Sequence, residues 1–230
     1  MIKKLLFIVL LLLCSCTGKS HVPDGFSHVE DNIYVDKNGN EFIWVDVTEL
    51  VRYDFYNKQE VKANEAVERV FYGEERKESV IYNTEYDFNA FSDSVKKYGG
   101  FYISRYLISK DDNGNLISKS GKEPITFITR DDALKLALSY SSDKNVVSTL
   151  PLSYAYDAIF LNDIHNYESA GTYSEWSSEY SSNAYYEYTE DCVSRGSNSS
   201  SDNIDISRRN FNSNDAANEF TSFRILLYMR

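Results

Sequence analysis

The stretch AGTYSEW, residues 170–176, places Gly171, Tyr173, Glu175 and Trp176 within six positions. A glycine, a carboxylate and a tryptophan so spaced suit a metal loop, a catalytic pocket or a turn that locks a core. Other chemistry is thinly supplied. No P-loop, no G-x-S-x-G elbow, no H-E-x-x-H and no G-x-G-x-x-G occurs in the sequence. Of the three cysteines, only Cys192 lies far from the amino end. No histidine pairs with it in an evident way, so it reads as a small semi-buried hydrophobe rather than a nucleophile. Asp131-Asp132 and Glu190-Asp191 are adjacent acids, and neighbours on a helix do not face each other. Both pairs read as solvated charge.

The amino end sets the location. Lys3 and Lys4 precede the apolar run Leu5–Leu13, which is too short to cross a bilayer and has the layout of a secretory leader. The run ends in Leu-Cys-Ser-Cys, which resembles a lipoprotein processing site. Cys16, after the small Ser15, is the expected lipidation site, so residues 1–15 are expected to leave as signal peptide. Acyl chains on Cys16 would anchor the protein without spanning the membrane, placing it in a bacterial cell envelope. Residues 16–30 then read as the lipidated cysteine and a polar tether, with His21 and His28 as solvated linker residues. One cysteine remains in the mature part, so no intrachain disulfide is expected.

Net charge is −11, and loss of Lys3 and Lys4 takes it to −13. Such a surface repels phosphate backbones, and nucleic acid is not an expected partner. The composition includes 19 Tyr and 13 Phe against 2 Trp. Tyrosine amid Ser and Asn makes good contact surface at low entropic cost.

Residues 31–230 are long enough for one domain with its own core. Apolar runs flank Asn38-Gly39, a hairpin signal, with Phe42, Trp44 and Val47 expected to be buried. Residues 57–98 read as an insertion of helical character: a loose stripe of Val61, Ala66, Val67 and Val70, then a short helix carrying Phe88, Phe91, Val95 and Tyr98. Residues 101–109 are strand-like and lead to a second hairpin signal at Asn113-Gly114. Thr129 followed by Arg130, Asp131 and Asp132 predicts a capped helix start, and Ser153–Leu161 a further helix. From 170 onward the chain reads as irregular until the terminal strand SFRILLYM.

FYISRY, RDDALKLA, LPLSYAYDAI, GTYSEW, VSRGSN and SFRILLY, in that order, resemble the successive motifs of the formylglycine-generating-enzyme-like, or sulfatase-modifying-factor, family. The resemblance spans roughly residues 32–230 and implies an α+β fold of C-type-lectin-like type, with small antiparallel sheets, few helices and long loops. It makes Trp176, Arg195, Gly196, Phe223 and Arg224 scaffold residues. It implies a structural calcium near Glu175, with carbonyls of Gly171 and Tyr173; otherwise Glu175 pairs with Arg195 or Arg224 and Trp176 fills the core. No other cofactor is implied. Formylglycine formation in the family needs a cysteine pair near the C-terminal motif, and residues 206–224 contain no cysteine. The related iron enzymes need a histidine cluster, and within the folded region there is only His165.

The expected function is therefore non-catalytic: a membrane-anchored surface lipoprotein whose lectin-like domain binds an unknown extracellular protein or glycan. The alternatives are an enzyme of the same family with an unrecognised activity, and a structural envelope protein. Tyr180, Tyr185, Tyr186, Asn198, Asn212 and Asn214 are the expected contacts, on a serine- and tyrosine-rich stretch with the makings of a binding surface. Loops of that composition also suit diversified recognition.

Overall fold

The structure is a computed structural model that describes residues 22–54, 58–62, 69–71, 74–78, 81–82, 85–164, 166–167, 173–181, 191–197, 206–213 and 215–230. The leader, Cys16 and His21 lie outside these residues, as do His165, Gly171, Tyr185, Tyr186, Asn198 and Asn214.

Among the described residues, the chain forms β1 (Ser27–Glu30), β2 (Ile33–Val35), β3 (Glu41–Asp46), β4 (Val51–Asp54), β5 (Gln59–Lys62), β6 (Arg69–Phe71), β7 (Glu74–Glu78) and β8 (Ile81–Tyr82). Helix α1 (Glu85–Tyr98) precedes β9 (Gly100–Ser104), β10 (Ser109–Lys110) and β11 (Leu116–Ile117). Then come α2 (Arg130–Ser139), β12 (Val146–Thr149), α3 (Ser153–Leu161), β13 (Ser174–Ser181), β14 (Asp191–Gly196), β15 (Arg209–Asn212), β16 (Thr221–Phe223) and β17 (Leu226–Met229). The described residues are thus α+β, with small, mostly antiparallel sheets and three helices.

The central sheet has six strands in the order β1-β2-β3-β9-β17-β12, all antiparallel. Side chains on a strand alternate between faces, so consecutive residues enter different cores. Ile43, Ile103 and Leu226 join one apolar cluster with Phe91 and Val95 of α1 and Ala155, Tyr156 and Ile159 of α3. Their neighbours Phe42, Tyr102 and Leu227 join a second cluster with Ala133 and Ala137 of α2, Trp176 and Phe223. Burial on both faces explains why these strands read as nearly continuous apolar runs.

The second sheet has the order β15-β14-β13-β16, with β8 also paired to β13. Its β13–β16 pair is parallel and the rest is antiparallel. Three hairpin-sized pairs, β4–β5, β6–β7 and β10–β11, complete the sheets.

Several expectations hold in detail. Thr129 caps α2, its side chain accepting from the Asp132 amide at 3.2 Å. Helix α3 begins and ends where expected. Both Asn-Gly signals make hairpins, with φ of 74° at Gly39 and 82° at Gly114, which glycine adopts without steric cost. Phe42 and Val47 are buried, whereas Trp44 is half-buried.

Four expectations are corrected. Ser27–Glu30, expected as tether, is strand β1, because the chain turns back on itself and pairs with β2. Residues 59–62 and 69–71, expected to be helical, are strands, with backbone pairing to β4 and β7 outweighing a weak apolar stripe. The described residues beyond 170, expected to be irregular, supply the second sheet, whose Ser- and Tyr-rich strands lack the β-branched signal. Finally, SFRILLYM is two strands on different sheets, since β16 pairs with β13 and β17 with β9 and β12.

Candidate functional site

Polar groups gather in three places, two sealed and one open. The first sealed one is built by α3 against the second sheet. Asp157 of α3 is fully buried between two arginines: Oδ1 accepts from Arg195 of β14, and Oδ2 from Arg209 of β15 at 2.6 Å. Burial pushes the Asp157 carboxyl up, but the two guanidinium groups outweigh it and hold it below the ordinary carboxylate value. Arg195 also donates to Ser153 Oγ at 2.6 Å, and Ser153 donates to Glu179. Arg52 of β4 lies 3.5 Å from Glu179, and Arg209 donates to the Tyr53 carbonyl at 2.6 Å. Three cations and two acids thus tie the β4–β5 hairpin to α3 and the second sheet.

A second buried set holds the motif residues. Glu175 of β13 accepts from Arg224 Nε at 3.0 Å and from the Tyr167 hydroxyl at 3.0 Å to each oxygen. Arg224 stacks over the Tyr167 ring, 4.3 Å from its centroid, and donates to the carbonyls of Ser104 and Arg105. Burial lowers the Arg224 pKa, but the Glu175 charge reverses this and raises it. Trp176 is fully buried and donates to the Ile128 carbonyl at 3.0 Å. The Glu175 carboxylate is therefore engaged by a guanidinium and a phenol. Calcium takes six to eight oxygen ligands, and a carboxylate engaged in this way does not suit it. Tyr173 is half-buried beside β13.

Arg195 and Gly196 end β14, with Gly196 accepting at its carbonyl from Asn210 at 2.8 Å. Phe223 is buried in the second apolar cluster. Cys192 is fully buried on β14 within that same cluster. Of the expected contacts, Tyr180 lies on β13 opposite Cys192, and Asn212 donates to Ser194 at 2.9 Å.

The open place is a cleft of about 780 Å³ where the β2–β3 and β10–β11 turns meet the segment after α2. Two copies of one pattern, Asp-x-Asn-Gly-Asn, form the turns at 36–40 and 111–115. They fold alike. Asp36 Oδ1 accepts from the amides of Asn38 and Asn40 at 2.8 and 2.9 Å, and Oδ2 from Asn40 Nδ2 at 3.0 Å. Asp111 makes the same three bonds with Asn113 and Asn115, at 2.9, 2.8 and 2.9 Å. Tyr140 adds a fourth donor to Asp36 at 2.6 Å. The hydrogen bonds that Asn115 and Asn113 give Asp111 hold its carboxyl below the ordinary value.

The lining carries Asp24, Asp36, Asp111, Asp112 and Asp143 against Lys37, Lys110, Lys119 and Lys122. Lys119 donates to the Asn38 carbonyl at 3.0 Å. Lys37, Lys110 and Lys122 are exposed, and their ammonium groups make no hydrogen bond or ion pair with the described residues. Leu116, Ile117, Val146 and Leu227 give the cleft apolar surface, and Phe26 contributes an aromatic ring. Ligand sites combine apolar walls with a few placed polar groups at this volume.

Sequence reasoning marked both Asn-Gly turns but not the cleft. The repeated five-residue pattern was the available signal. Arg52, Glu179 and Arg209 were missed because polar residues on short strands carry no periodic sign of burial. In comparisons with known proteins, the chain matches no family model, no curated protein and no solved structure.

Proposed function

We propose that the chain is a lipid-anchored envelope protein whose lectin-like, sulfatase-modifying-factor-like domain is a non-catalytic binding module, with the cleft beside the twin turns as its ligand site. The observation that carries this reading is the contrast in how charges are used. The sealed networks tie down the motif residues as a frame, while three rim lysines of the cleft are uncommitted. Binding surfaces need groups that have not been spent on the fold. The burial of Cys192 also supports a non-catalytic reading, since a reactive thiol needs access.

The anchor and the cleft are tested separately. Cys16→Ser should abolish fatty-acid labelling and move the protein out of the membrane fraction; retention with label would end the lipoprotein reading. For the cleft, thermal melting of the full chain is followed in fractionated envelope material. A ligand that binds only the folded state raises the melting temperature with concentration. A fraction that raises it for the wild type but not for Lys37→Ala/Lys110→Ala/Lys122→Ala supports the cleft. Equal shifts in both proteins place binding elsewhere.

A further inference from the structure

Among the described residues, helix α2 packs over only part of its side of the central sheet. Alternation and register put Tyr34, Phe42, Trp44 and Tyr102 on that side, since Tyr34 pairs with Phe42 and Trp44 with Tyr102. Helix α2 covers the end near β12, where Ala133, Ala137 and Val146 share the apolar cluster with Phe42. Over the β2–β3 end, Phe26 lies on Phe42 and Tyr102, with ring centroids 5.3 and 5.6 Å apart. Trp44 and Tyr34 stand beside Tyr102, at 4.8 and 5.1 Å. Phe42 and Tyr102 are buried, whereas Phe26, Tyr34 and Trp44 are half-buried. Phe26 also lines the cleft, so it is the ring that joins this aromatic cluster to the cleft.

We infer that the shelf and the cleft together bind a neutral oligosaccharide; the inference rests on the cleft being the ligand site. Five acids against four lysines leave the lining near neutrality, which selects neither a strong anion nor a strong cation. The signs are interleaved at short range: Lys110 adjoins Asp111 and Asp112, and Lys37 packs by the Gly25 backbone next to Asp24. A sugar hydroxyl donates one hydrogen bond and accepts two, so it can bridge a carboxylate and an ammonium at once. The C–H face of a pyranose is apolar and covers a half-exposed ring whose edge stays in water. A peptide instead gains most from pairing with a strand edge or from apolar anchors in pockets. Here the side chains that project into the cleft from its turns are mostly charged or amide.

Trp44 provides the readout. Of the two tryptophans, Trp176 is fully buried and Trp44 only half-buried, so a ligand on the shelf alters emission and acrylamide quenching through Trp44. The full chain is titrated with a panel of neutral tetra- to hexasaccharides, with uronic-acid oligosaccharides, inorganic phosphate and a polar peptide library as comparators. The expected result is saturable protection of Trp44 by at least one neutral sugar. Lys37→Ala/Lys122→Ala should weaken that sugar about a hundredfold at unchanged melting temperature, since each of the two lost hydrogen bonds to a charged group costs about tenfold in affinity. Trp44→Phe should erase the fluorescence change while calorimetry still detects binding.

If only peptides or anions bind, and the lysine changes weaken them, the sugar assignment is overturned and the cleft remains the ligand site. If a sugar binds but neither the lysines nor Trp44 report it, both the assignment and the cleft fall. If nothing in the panel binds, the sugar assignment is overturned.

Discussion

The Asp157 network and the cleft both concentrate acids and cations, yet they use them in opposite ways. Around Asp157 the charged groups are sealed from water and the carboxylate is held by two guanidinium groups. Around the cleft, Asp36 and Asp111 are satisfied by their own turns, and the lysines beside them are left to solvent. Desolvating a charge costs several kcal/mol, which only paired geometry offsets. The buried set is therefore bound to one arrangement, whereas the rim lysines cost little to keep and are free to meet a ligand. Rigidity on one side and availability on the other are what a presenting frame requires.

The strongest way to break this contrast is to remove the centre of the buried set. Asp157→Asn leaves Arg195 and Arg209 buried with half their compensation. It should cost about 3–5 kcal/mol, seen as a fall of roughly 10 °C in melting temperature. A loss under about 1 kcal/mol would mean that the network is not sealed. The same group sets the response to acid. Its pKa is depressed in the folded state, so its stabilisation is present above the unfolded value of about 3.9 and is lost as pH falls through the folded value. Urea midpoints should therefore drop below about pH 4, and Asp157→Asn should show a shallower drop than the wild type.

A finer test compares the twin turns. The pattern Asp-x-Asn-Gly-Asn folds identically at both sites, so local chemistry alone specifies the turn. What differs is the tertiary partner: Asp36 also takes Tyr140, and Asn40 is buried, while its counterpart Asn115 is exposed. Asp36→Ala leaves buried donors without an acceptor and should cost about 1–3 kcal/mol. Asp111→Ala lets water replace the lost oxygen and should cost roughly 0.5 kcal/mol. Equal losses would erase the distinction. Tyr140→Phe should move Asp36 toward Asp111, with a loss of about 1 kcal/mol.

That difference also marks how far the sequence could be read. Turns, the Thr129 cap and helix α3 follow from short-range rules, and all appear where those rules put them. Strand β13 depends on a partner far away in sequence, Glu175 pairing with Ser222, and local pattern misjudged it; the strand at 59–62 pairs with nearby 51–54 but was misread from a weak apolar stripe. The candidate site was legible only in its turns. Its aromatic shelf needs the pairing of Trp44 with Tyr102, 58 positions apart, which no local window contains. Among the motif residues, pairing of Glu175 with Arg224 was one of two partners read from the sequence, and Arg195 instead took Asp157.

The smallest expected effect concerns metal. Glu175 sits at the turn that first suggested an oxygen-ligand loop, but its carboxylate holds the side chain that closes the two sheets together through Arg224. A divalent ion at this carboxylate would compete with a guanidinium already bonded to it, in a place where exchanging partners means desolvating both. Chelation with excess EDTA should therefore leave the melting temperature unchanged, while Glu175→Gln lowers it by several degrees, because Arg224 then stays buried beside a neutral amide. A fall on chelation that calcium reverses would shift the support of this turn from the Arg224 pair to an ion, and would move the turn from the sealed region into the ligand-responsive one.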